Sequence, residues 1–146
     1  MMRITTAIGA IALIIGIGIS GANAGGNSVV VEQHGNGHTA GVAQTGKGNC
    51  AGIWQQGRAN WAAIQQHGNR NCAVSGQVGN GNRSTTYQSG NGNVAGTAQF
   101  GSHNTATTTQ SGSNNIAGTI QMGSGNTATT NQQGSGNVSV IIQNNW

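Results

Sequence analysis

Glutamine returns at every eleventh residue through almost the whole chain. It stands at Gln33, Gln44, Gln55, Gln66, Gln77, Gln88, Gln99, Gln110, Gln121, Gln132 and Gln143, without a slip. A period this strict is the signature of stacked, near-identical structural units. Such a stack ends in repeating edges and is not wrapped around a single pocket. The pattern therefore points to assembly before it points to catalysis.

The other positions follow the same beat. Two residues after each Gln comes Gly, at Gly35, Gly46, Gly57, Gly68, Gly79, Gly90, Gly101, Gly112, Gly123 and Gly134, with Asn145 the only departure. Five residues after the Gln comes Asn, at Asn49, Asn60, Asn71, Asn82, Asn93, Asn104, Asn115, Asn126 and Asn137. Asn27 opens the first unit and His38 is the one substitute. Seven after the Gln is mostly Ala, with Ser84 and Ser139 as small replacements. The unit is N-x-A-x-h-x-Q followed by x-G-x-x, which parses into a seven-residue strand and a four-residue turn. Asn, Ala, h and Gln are spaced by two and so share one strand face. The h position is β-branched almost throughout: Val31, Val42, Ile53 and Ile64, then Thr86, Thr97, Thr108, Thr119 and Thr130. That suits a strand, whereas this much Gly, Asn and Thr costs too much helix propensity. Segments such as Gly35-Asn36-Gly37 supply the left-handed conformations that a reversal needs.

The recurring face is expected to point inward. Burying an unpaired amide is expensive. Identical amides stacked about 4.8 Å apart avoid that cost, each donating to one neighbour and accepting from the other. Ala would keep the facing sheets close. Two units make a rung of 22 residues, and successive strands fall alternately into two parallel sheets. The expected fold is all-β: a two-sheet, amyloid-like parallel β-solenoid of eleven strand-turn units, roughly 25 Å tall. One sheet takes the strands beginning at Asn27, Asn49, Asn71, Asn93, Asn115 and Asn137; the other takes those at His38, Asn60, Asn82, Asn104 and Asn126. The outer face of the first would be apolar, with Val94, Ile116, Val138, Val140 and Ile142. It is either a sticky surface or a way to raise strand propensity.

Composition bounds the rest. The 146 residues allow one domain. Only 34% are hydrophobic, 4% are charged and none is proline. An ordinary globule carries nearly half apolar and about a quarter charged residues, so a large aliphatic core is not expected. Residues 1–24 read as a secretory signal peptide: Arg3, an apolar run from Ile8 to Ile19, and a small-x-small cut site at Ala22-Asn23-Ala24. The run is short, and Gly9, Gly16 and Gly18 break it, which weakens the alternative of a membrane anchor. The mature chain would be residues 25–146, a single repeat domain, exported. The formal charge of +4 becomes +3 without Arg3. Lys47, Arg58, Arg70 and Arg83 are too scattered for a nucleic-acid groove, so no nucleic acid is expected as a partner.

At these residues the chain resembles the curlin-repeat family, the secreted subunits of bacterial curli fibres. The family's x-Q-x-G-x-x-N-x-A-x-x-x-Q pattern is matched by Gln44-Thr45-Gly46-Lys47-Gly48-Asn49-Cys50-Ala51-Gly52-Ile53-Trp54-Gln55, and again from Gln121 to Gln132. The resemblance covers about residues 27–145. It implies an extracellular functional amyloid on the cell surface, a self-assembling homopolymer that supports biofilm matrix and adhesion. It also implies two partners, an outer-membrane secretion channel and a nucleator subunit. The repeats begin almost at once after Ala24, without the targeting segment that major subunits often carry. Major subunit and surface-bound nucleator both stay open.

Cys50 and Cys72 lie 22 residues apart, at the same place on adjacent rungs. A disulfide and a pair of stacked thiols are both open. His34, His38, His67 and His103 occupy different motif positions and do not suggest a metal site; His38 takes the place of a ladder Asn. Glu32 is the only carboxylate side chain, so paired-carboxylate and Asp-supported triad chemistry lack their parts. No catalytic residue, cofactor, metal or small-molecule substrate is expected. The leading reading is a fibre subunit that grows by end-to-end strand addition. Both end strands fall in the same sheet, which calls for a half-turn offset or a loosely held end strand. A second reading is a monomeric solenoid that binds ice through Thr105, Thr107, Thr127 and Thr129.

Overall fold

A computed structural model describes residues 26–145. The expected signal peptide, residues 1–24, lies outside the described residues. Eleven strands follow in chain order: β1 (Ser28–Asn36), β2 (Thr39–Thr45), β3 (Cys50–Arg58), β4 (Trp61–Asn69), β5 (Cys72–Asn80), β6 (Arg83–Asn91), β7 (Val94–Ser102), β8 (Thr105–Ser113), β9 (Ile116–Ser124), β10 (Thr127–Ser135) and β11 (Val138–Asn145). They alternate between a six-stranded sheet, β1-β3-β5-β7-β9-β11, and a five-stranded sheet, β2-β4-β6-β8-β10. Every pairing is parallel, and each residue faces the one 22 positions on, as in Cys50 beside Cys72 and Gln55 beside Gln77. The fold is the two-sheet parallel β-solenoid that the eleven-residue period dictates.

The strands differ from the expected seven residues. Most run for nine, starting one residue after the Asn and continuing through the Gly. The reason is the stack itself. A turn in a solenoid has copies above and below, so its peptide groups go on pairing where a hairpin's would stop. The N–H of Ala59 reaches the carbonyl of Asn36, and that of Arg70 reaches Lys47, both at 2.9 Å.

The arc needs two left-handed residues per unit. The first is the periodic Gly: Gly57 has φ 117°, and an added Cβ would run into the carbonyl oxygen of Gly79 one rung on. Only Gly fits, on conformation and on space. The second is the residue before the Asn. It is Gly at Gly26, Gly37, Gly48, Gly81, Gly92, Gly125 and Gly136, but Ala59, Arg70, His103 and Asn114 hold the same conformation at φ 51°, 56°, 56° and 57°.

The interior is thin. An Ala layer, with Ala62 and Ala73 fully enclosed, lets the two sheets close on each other. Beside it the early rungs carry an aliphatic cluster around Ile53 and Ile64. From Ser75 to Thr130 the same column is hydroxyl-bearing, with Thr86, Thr97, Thr108, Thr119 and Thr130 all buried, before Ile141 closes it. The hydroxyl oxygens of Ser75, Ser84, Thr86, Thr97 and Thr130 have no hydrogen-bond partner among the described residues.

Candidate assembly interface: the ladders and their open ends

Gln77 shows how the recurring amide is satisfied. Its Nε2 donates to Gln99 Oε1 at 2.8 Å and to the Trp61 carbonyl, in the opposite sheet, at 2.9 Å. Its Oε1 accepts from Gln55 Nε2 at 2.8 Å. Each Gln therefore bonds along its column and across the sandwich at once. The column bond repeats from Gln33 to Gln143 and the cross-sandwich bond from Gln44 to Gln143, and the Gln side chains of β3 through β9 are almost completely buried. All donation runs one way, from each Gln to the Gln of the following rung.

The Asn column works differently from the expected amide-on-amide stack. Asn71 Oδ1 accepts the backbone N–H of Asn93 at 3.1 Å, and Asn71 Nδ2 donates to the carbonyls of Gly90 and His67 at 2.8 and 3.3 Å. The side chain closes its own arc and ties it to the arc of the next rung. Direct amide-to-amide bonds supplement this in the later rungs, as from Asn115 Nδ2 to Asn93 Oδ1 at 3.0 Å. His38 occupies an Asn position: its Nδ1 accepts the N–H of Asn60 at 3.2 Å and its Nε2 lies 3.0 Å from the His34 carbonyl. With the proton on Nε2, the ring replaces both functions of an Asn amide.

The ladders stop at two ends, and the ends are complementary. At the head, formed by β1 and β2, Gln33 and Gln44 donate onward, but no donor among the described residues reaches their Oε1 atoms. At the tail, formed by β10 and β11, Gln132 and Gln143 each spend one Nε2 hydrogen on the carbonyls of Ile116 and Thr127. The second hydrogen has no acceptor among the described residues. The Asn column has the opposite sense. Among the described residues no donor reaches the Oδ1 of Asn126 or Asn137 at the tail, and no acceptor meets the backbone N–H of Asn27 or His38 at the head. A head thus offers Gln acceptors and backbone donors, and a tail offers Gln donors and Asn acceptors. The end strands are also the least covered: Val29 and Val31 of β1 point inward yet are about half exposed, at 49% and 46%.

Features between the ends are structural. Cys50 and Cys72 are joined by a disulfide across β3 and β5, with Cα atoms 4.6 Å apart, so a 22-residue rung is stapled to the next. Arg83 lies over the Trp61 ring, 3.8 Å from its centroid, on the outer face of the second sheet. Val74, Val94, Ile116 and Ile120 are exposed on the outer face of the first. Among the described residues no three His, Cys, Asp or Glu side chains converge. Sequence reasoning missed the left-handed role of Ala59, Arg70, His103 and Asn114. The signal was the Gly found at that position in the seven other units.

Comparison with known proteins gives one match. The family model described as curlin associated repeat matches residues 26–57 and 57–85. No curated protein and no solved structure matches the chain at a significant level.

Proposed function

The chain belongs to the curlin-repeat family, and from that premise we propose that it is the structural subunit of an extracellular, curli-type amyloid fibre. It polymerises by adding the head of one copy to the tail of another. The observation that carries this reading is the unspent, oppositely sensed hydrogen bonding of the two ends. An open sheet edge is a template for another strand, and here the side-chain ladders on that edge match in direction as well. Biofilm matrix and adhesion are the roles such a fibre serves.

Export follows from the signal peptide read in residues 1–24, with the fibre-forming chain being residues 25–146. A secretion channel in the outer membrane and a nucleator subunit complete the scheme. Uniform repeats favour a polymerising subunit over a nucleator, which would seed another chain and grow poorly alone. The ice-binding reading is not adopted. Its Thr pairs span only β8 and β10, and the column is interrupted by Arg83 stacked on Trp61.

Purified residues 25–146, followed by amyloid-dye fluorescence with and without sonicated fibres, test the proposal. A lag that seeds abolish is expected. A folded chain that stays monomeric at all concentrations would overturn it.

A further inference from the structure

The number of strands among the described residues is odd, and this fixes how copies meet. The eleven-residue period makes each strand the image of the one before it after half a turn and half a rung. Eleven such steps carry the solenoid to the opposite sheet. The strand that would continue the molecule beyond β11 belongs beside β10, in the five-stranded sheet. Yet β1, which must supply that strand, lies in the six-stranded sheet of its own copy.

Resting on the self-assembly reading above, we infer that a second copy of this chain docks with a half-turn about the fibre axis. Its β1 pairs with β10 and its β2 pairs with β11, so its first sheet continues the second sheet of the copy before it. Hydrogen bonding decides between this joint and an in-phase one. With the half-turn, Gln132 donates to Gln33 of the second copy and Gln143 donates to its Gln44. Asn126 and Asn137 accept the N–H groups of its Asn27 and His38. Both open edges and all four ladder columns are matched. An in-phase joint would place β1 of the second copy on β11 and match two columns only. A gap one strand wide would remain in the other sheet between β10 and the second copy's β2, with the amides of Gln132 and Gln44 facing it. A buried amide without a partner is costly.

The arcs agree with the same joint. Along the stack the periodic Gly has the carbonyl of the next rung's residue where its Cβ would be, as Gly112 has that of Gly134 and Gly123 that of Asn145. At Gly134 no carbonyl stands there, the nearest atom being Asn137 Nδ2 at 3.7 Å. The half-turn brings Gly35 of the second copy under Gly134, in the register that pairs Gly112 with Gly134. The joint also alternates the outer faces. Each side of the fibre shows the apolar face around Val94 and Ile116, then the Thr face around Thr107 and Thr129, then the apolar face again.

Cysteine pairs across the joint test this. Cys50 and Cys72 show that in-register neighbours on adjacent strands are within bonding reach. Val30→Cys with Thr129→Cys places a pair on β1 and β10, and Val30→Cys with Val140→Cys places one on β1 and β11. After seeded growth and oxidation, the first variant is expected to give a disulfide-linked ladder on a non-reducing gel. The second is expected to run as a monomer, like the wild type. Linking of the second pair, or of neither pair in dye-binding fibres, would overturn the half-turn. Should the variants not grow, electron microscopy of wild-type fibres decides. The half-turn predicts a rise of about 26 Å per copy with a 180° rotation, and the in-phase joint about 29 Å with none. A wild-type chain that never forms fibres would instead remove the self-assembly reading, and this joint with it.

Discussion

An amide in a thin core stabilises the fold only when every hydrogen bond it can make is made. Gln77 meets that condition with two donations and one acceptance inside the wall of the solenoid. Gln77→Leu removes its own bonds and leaves Gln99 Oε1 without its donor and one Nε2 hydrogen of Gln55 without its acceptor. Each buried group left unpaired costs about 1–3 kcal/mol, so a loss of at least about 2 kcal/mol is expected in denaturant unfolding. The Thr column predicts the opposite sign. Thr86 is buried with an unpartnered Oγ1, and Thr86→Val keeps its shape while removing the hydroxyl. Stability should rise by about 1 kcal/mol in the same measurement. The Gln ladder was legible in the sequence, because its spacing leaves only an identical amide within reach. The Asn bonding was not. Spacing places Asn on the inner face but does not say that its Oδ1 takes the backbone N–H of the next rung.

Each strand-and-arc unit is held by glycines that do different jobs, and substitutions separate them. Gly79 has φ 118°, and an added Cβ would meet the Gly101 carbonyl, so Gly79→Ala forces the arc out of register with its neighbours. The expected cost is about 3 kcal/mol or more, from backbone strain and a lost rung contact together. Gly96 sits mid-strand on the outer face with nothing within 4 Å of an added Cβ. Gly96→Ala should stabilise by about 0.5–1 kcal/mol through the unfolded chain. Thermal unfolding of the two variants side by side reads the difference. The disulfide between β3 and β5 closes a loop of 22 residues, so Cys50→Ser with Cys72→Ser should cost about 3 kcal/mol. The eleven strands and their sheet order follow from the period alone. The strand ends do not, since continued pairing through the arcs depends on the rungs above and below, which no single unit records.

The whole molecule is a short piece of a periodic object, cut at two faces that have the same backbone geometry and opposite hydrogen-bonding sense. Its core has no large aliphatic mass. Cohesion comes from ladders that gain one more set of bonds with every rung, and a second copy extends them. That is the central claim, and it makes one end separable from the other. The N–H of Ile116 points toward the tail, to Asn137. By the alternation of a strand, the N–H groups of Thr129 and Val140 point the same way, from the last strand of each sheet into open space. Proline is tolerated at such edge positions and cannot donate to an incoming strand. The most direct measurement is therefore seeded elongation of the wild-type chain with a small fraction of Thr129→Pro/Val140→Pro added. The variant's head is intact, so it should dock onto growing tails and stop them, and elongation should fall far more than its share of the protein. Inhibition no greater than simple dilution would contradict growth by head-to-tail stacking.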